Sequence, residues 1–239
     1  MKHVLVIILS CFTLISYAQD FVISKNDSTI TTEYNDGKLW AYRYINNYIV
    51  GLTCYESKDD YGKYYQVQIH INNLSSQNVT FDPDEVNASL IDKKGDSISL
   101  QVYTNEEFQK KVKRTQNWAM ALYGLSAGLN AGSAGYSTSY STTYSPNGYA
   151  YTTMTTHYNP NAAYQANIAA NAQISTLGKM MADERAIKEQ GYLKKTTIHP
   201  NEGIVGYMNI KRKKGQNLIV NIPLDGCVYS FEWNINNKK

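Results

Sequence analysis

Tyr65-Gln66-Val67-Gln68-Ile69-His70-Ile71-Asn72 alternates strictly, with Tyr65, Val67, Ile69 and Ile71 on one side of an extended chain and the polar residues on the other. A helix would scatter those four apolar side chains around its axis, so the stretch reads as a strand with one buried face. Upstream, Lys38–Ile45 and residues 48–55 are rich in aromatic and β-branched residues and are joined by Asn46-Asn47, a turn pair. Downstream, Asn72-Asn73 and Asp82-Pro83-Asp84 punctuate strands at residues 78–81 and 85–91, and Lys93-Lys94-Gly95-Asp96 leads into the alternating Ile98, Leu100 and Val102. Strand signals return after Gly191, over residues 193–198, 204–210, 218–222 and 228–235, again separated by Gly and Pro turns. Many short strands at this spacing predict a mainly β, antiparallel sandwich.

At Thr104 the period changes. Thr104-Asn105-Glu106-Glu107 has capping-box spacing, and Phe108, Val112, Thr115, Ala119, Leu122, Ser126 and Leu129 then recur at helical intervals, which predicts a helix over 105–132. A second helix is expected from Pro160, behind Asn159 as a cap, to Gln190, with Gly191 as its stop. Between them, residues 133–159 are rich in Tyr, Ser, Thr and Gly, open to reading as a loose hairpin or as a disordered tip, with the balance toward disorder. No Asp, Glu, Lys or Arg occurs between Arg114 and Lys179. The economical arrangement is a β-sandwich made from residues 19–103 and 192–239, interrupted by a helical hairpin at 104–191.

The N-terminus has its own logic. Lys2 and His3 precede an apolar run over residues 4–15, and Ser16-Tyr17-Ala18 places small residues before Gln19, so residues 1–18 are expected to be a cleavable signal peptide. A lipoprotein signal using Cys11 is the rival, at the cost of a very short apolar core. Either way the chain is expected to be exported, to a periplasm, an outer envelope or the extracellular space. Cleavage removes one Lys and no acid, taking the formal charge from +3 to +2. That is too little to attract nucleic acid. Cys54 and Cys227 remain; in an oxidising compartment they are candidates for a long-range disulfide, the alternative being two buried thiols.

Residues 196–207 with their His199-Pro200-Asn201-Glu202-Gly203 turn, then Leu218-Ile219-Val220-Asn221-Ile222 and Tyr229-Ser230-Phe231-Glu232-Trp233, resemble the closing strands of uncharacterised bacterial secreted proteins with an immunoglobulin-like sandwich. Residues 65–82 resemble the early strand pair of the same group. The resemblance implies an immunoglobulin-like sandwich and carries over no functional residue.

Chemistry is sparse. There is no H-E-x-x-H, C-x-x-C or G-x-S-x-G, and His70, His157 and His199 sit at spacings that suit no zinc site, so no cofactor, no metal and no catalytic residue are expected. Asp82, Asp84 and Glu85 lack the glycine of a calcium loop and read as a turn. Lys211-Arg212-Lys213-Lys214 reads as a solvated turn, with anionic lipid or polysaccharide as the functional alternative.

The sharpest pattern is a pair of small-residue stripes. Gly124, Gly128 and Gly132 fall four apart on the first helix, and Ala162, Ala166 and Ala170 four apart on the second. The bland reading is a hairpin whose stripes face each other. The functional readings are association with an envelope protein or with further copies of the chain, or contact with a membrane. Gln165, Asn167, Asn171 and Gln173 oppose a bilayer span. Tyr140, Tyr144, Tyr149 and Tyr151 make the tip a candidate binding element, since Tyr with Ser and Thr supplies stiff contact area and adaptable hydrogen bonds. A non-catalytic envelope scaffold presenting the hairpin is the leading expectation, ahead of an oligomerising or membrane-associating protein and of an enzyme or saccharide binder.

Overall fold

The computed structural model describes residues 29–35, 37–144 and 150–235. The predicted signal peptide, the alternative at Cys11, and Tyr149 lie outside them.

Strands β1 (Ile30–Asn35), β2 (Lys38–Ile45), β3 (Tyr48–Asp59), β4 (Gly62–Asn73), β5 (Val79–Phe81), β6 (Asn87–Ile91), β7 (Ser97–Leu100) and β8 (Val102–Tyr103) precede helix α1 (Asn105–Ser133). Then come β9 (Tyr136–Tyr144), β10 (Ala150–Tyr158), helix α2 (Pro160–Glu189), β11 (Thr196–Ile198), β12 (Gly203–Lys211), β13 (Asn217–Leu224) and β14 (Cys227–Asn234). About half of the described residues are strand, all in antiparallel pairs. The chain forms two compact units: one joins the described residues up to Thr104 with those from Leu193 onward, and the other is Asn105–Tyr192.

In the β unit, strands from both sequence segments share sheets. The six-stranded sheet has the order β1-β2-β3-β4-β12-β8, with Ile204 opposite Ile71 and Ile210 opposite Val102. The four-stranded sheet, β14-β13-β6-β7, sets Leu218 opposite Leu90, and β11 pairs with β5. Alternation assigns the faces. Val50, Leu52, Val67, Ile69 and Ile71 of the larger sheet and Leu218, Val220, Ile222, Tyr229, Phe231 and Trp233 of the smaller are each fully buried, and burying each such side chain stabilises by about 1.5–3 kcal/mol. Polar contacts tie the two sheets together: Tyr229 OH donates to the Ile45 carbonyl at 2.8 Å, and Arg43 Nε to the Ser230 carbonyl at 2.7 Å. The turn pair Asn46-Asn47 takes left-handed backbone at both residues, φ 49° and 62°, as does Asp225-Gly226, φ 48° and 73°, the geometry that lets a two-residue hairpin follow the strand twist.

Two expected strands are shorter than their patterns. Pro83–Glu85 is a 3₁₀ turn, capped by Asp82 Oδ1 accepting from the Asp84 backbone N–H at 3.1 Å, so pairing starts at Asn87. On the C-terminal side, the strand starts at Thr196 instead of Leu193, whose N–H makes a single backbone hydrogen bond to the Tyr207 carbonyl at 3.0 Å.

The helical unit contains α1, α2 and, between them, the β9–β10 hairpin, registered from Tyr136↔Tyr158 to Tyr144↔Ala150. This corrects the leaning toward disorder. The Tyr, Ser, Thr and Gly composition left hairpin and disordered tip both open, but Thr and Tyr are strand formers, and their cross-strand pairs hold the register. Tyr136 and Tyr158 pack with centroids 4.9 Å apart, and Thr142 Oγ1 lies 3.1 Å from Thr152 Oγ1. Asn159 Oδ1 accepts from the Asn161 and Ala162 backbone N–H groups at 3.0 and 3.2 Å, which starts α2 behind Pro160.

Candidate functional site

The inner seam of the helical pair is polar at its centre. Phe108 stacks on Tyr192 with centroids 5.4 Å apart, and Val112 is fully buried one turn later. The next turn brings in Gln116, only 3 % exposed. Its Nε2 donates to the Met181 carbonyl at 2.9 Å and to Glu184 Oε2 at 3.3 Å, while its Oε1 accepts from Arg185 Nη1. Ala131 is buried further along, where Ala127 and Ala131 of α1 and Ala166 and Ala170 of α2 line a groove of about 320 Å³.

That phase overturns the expected helix face. Thr115, Ala119, Leu122, Ser126 and Leu129 continue the apolar spacing from Phe108, yet Leu122 and Leu129 point outward. A strict seven-residue apolar repeat slips by about 20° per heptad on a straight helix, and here a glutamine with three partners holds the inside position instead.

The expectation that the glycine and alanine stripes face each other is corrected for the same reason. Carbons added at Gly124, Gly128 and Gly132 would meet nothing within 4 Å, so these residues do not face the alanine stripe. Ala166 and Ala170 do line the inter-helix groove. Ala162, beside the buried Ala163, is half-buried. The glycine that packing requires is Gly135, where a Cβ would come within 2.7 Å of the Tyr158 ring and 2.9 Å of Ala163 Cβ. Regular spacing gives no sign of it, because it is single and lies in a turn.

Facing outward, α1 carries Trp118, Leu122, Leu125 and Leu129, each 61–69 % exposed. Their 4-3-4 spacing is the heptad spacing of apolar residues, and they stay exposed among the described residues. On the hairpin, Tyr140 is exposed and paired with exposed Met154. Tyr144 and Tyr151 are described by their backbone positions alone.

In the β unit no disulfide joins Cys54 and Cys227; of the two readings the structure has the pair of thiols, Cys54 buried and Cys227 half-buried. Cys54 is buried in mid-β3, opposite Val67, where burial pushes its thiol pKa up. Cys227 opens β14 and accepts from Asn46 Nδ2 at 3.0 Å. The Asp82 turn is occupied by its own chain. Lys195 Nζ lies 2.6 Å from Asp82 Oδ2, and this contact first, then the Asp84 N–H, holds the carboxyl below its ordinary range. Arg212 from the basic run pairs with Glu56 at 2.9 Å. Arg212 and Lys214 then line a cleft of about 610 Å³ with Lys93 and Lys94.

Among the described residues, no three His, Cys, Asp or Glu side chains gather as a metal site, and no helix is long and apolar enough to cross a membrane. Compared with known protein families, with characterised proteins and with solved structures, the chain matches none.

Proposed function

We propose that this chain is an exported, non-catalytic envelope protein whose β unit is an immunoglobulin-like scaffold and whose helical unit assembles with a second copy of the same chain. Export rests on the signal-peptide pattern of residues 1–18. The scaffold reading rests on two antiparallel sheets with alternating buried faces.

One observation carries the assembly: the exposed Trp118, Leu122, Leu125 and Leu129 at heptad spacing. Four large apolar side chains in water on one helix face favour burial against a matching helix, and the matching face at hand is the same one on another copy. The charge pattern agrees. With no ionisable Asp, Glu, Lys or Arg between residues 114 and 179, two copies meet there without like-charge repulsion. The open glycines beside the seam let a neighbouring backbone approach closely. The stripe offers on the order of 500 Å² per copy, so a pair buries roughly 1,000 Å², the lower bound for a specific interface.

The test is light scattering across a concentration series, comparing the processed chain with a Leu122→Glu, Leu129→Glu double variant. A wild-type dimer or larger assembly, and a monomeric variant of unchanged helix content, is the expected outcome. A wild-type chain that stays monomeric throughout removes the reading. Flotation with liposomes, abolished by the same substitutions, would assign the stripe to a membrane surface instead.

A further inference from the structure

The outward face of the six-stranded sheet carries a pattern of its own. Tyr42, Gly51, His70 and Val205 form one row across β2, β3, β4 and β12, each opposite the next in register. All four belong to the face turned away from the core, since Ala41, Leu52, Ile69 and Ile71 alternate with them. The row holds an aromatic patch made possible by a glycine. A Cβ at Gly51 would meet Tyr42 Cε1 at 2.4 Å and Cδ1 at 2.6 Å, so the Tyr42 ring leans over the glycine and covers that part of the sheet. Trp40, two residues earlier on the same face, follows in a nearly parallel plane, 17° away with centroids 6.0 Å apart. His70 stands perpendicular to Tyr42, at 89° and 6.4 Å, and forms an upright edge beside the patch.

Polar groups frame these rings. Glu33 of β1 lies opposite Trp40 and is exposed. On the other side Lys38 Nζ donates to Gln68 Oε1 at 3.2 Å and sits 4.8 Å from the Tyr55 ring centre. Val205, 68 % exposed, ends the row in open solvent.

We infer that this patch binds a neutral saccharide, a pyranose ring lying on Trp40 and Tyr42 beside the His70 edge. Sugar rings present C–H groups on their faces and hydroxyls on their rims. The faces suit aromatic π-systems, and the rims suit amide, imidazole and carboxylate groups around them. An apolar ligand would cover the exposed Glu33 and the His70 edge without offering either a polar partner. Polyanions meet the Glu33 carboxylate, and polycations meet Lys38, so charges of both signs around the rings favour a ligand with none. This inference is independent of the helical assembly, because every residue it uses belongs to the β unit.

The test uses cellohexaose, laminarihexaose and chitohexaose as neutral probes and tetragalacturonate as an acidic one. Binding is read by NMR shift changes and tryptophan fluorescence on the processed chain. At least one neutral probe is expected to shift resonances of residues 31–33, 40–42, 51, 68–70 and 205–207. Trp40→Ala should weaken it by roughly ten-fold or more. Shift mapping on the wild-type protein keeps the question answerable should Trp40→Ala fold poorly. No response to any neutral probe overturns the proposal. So does a response centred elsewhere, binding that survives Trp40→Ala in a folded variant, or tighter binding of tetragalacturonate.

Discussion

The β unit and the helical unit solve the same problem to different degrees. In the β unit almost every inward position of β3, β4, β13 and β14 is closed off from water. By contrast α1, at 29 residues, buries Phe108, Val112, Gln116 and Ala131, and α2, at 30 residues, buries Ala163. Sheets gather side chains from several neighbours onto one face, whereas two helices in contact share one seam and leave the remaining surface to solvent. The contrast separates where apolar side chains are closed off from where they stay in water. Stability is concentrated in the sheets; the helices keep large apolar side chains available.

The largest effect that tests this comparison is Phe231→Ala, in the centre of β14. It should cost about 3–5 kcal/mol, read from urea unfolding. A loss below 1 kcal/mol would mean that the sheets do not hold the stability assigned to them. Next is Gln116→Ala, which leaves Arg185 and the Met181 carbonyl without their inner-seam partner. A cost of about 1–3 kcal/mol is expected, seen as faster amide hydrogen exchange across α1 and α2 with the β-unit amides unchanged. Equal acceleration in both units would break the comparison, because the units would then be opening together. The smallest effect has the opposite sign. Gly128→Ala in the monomer should stabilise by about 1 kcal/mol, because the added methyl meets no neighbour and alanine is the better helix former. Destabilisation in thermal unfolding would return the glycine stripe to a packed interface.

Much of the secondary structure was legible along the chain. Alternation in residues 65–72 lies inside β4, the β2 span coincides with its aromatic-rich segment, α1 starts at Asn105 next to Thr104, and α2 starts at Pro160 behind its Asn159 cap. These signals are local: an alternating pattern or a capping side chain acts within a few residues. Rotation of α1 was not legible, since Gln116 moves inside through partners 65 to 69 positions away. Nor was the Trp40–Tyr42 patch, which depends on Gly51 in the neighbouring strand.

Composition and periodicity therefore determined most of the strands, both helices and where the uncharged stretch lies, but not the β9–β10 hairpin or the 3₁₀ turn at Pro83–Glu85. Only the tertiary structure decided which glycines are needed, which leucines meet water, and that Cys54 and Cys227 form no disulfide with each other. Propensity and capping are properties of neighbours in sequence. The burial of a face is a property of whatever the rest of the chain places against it.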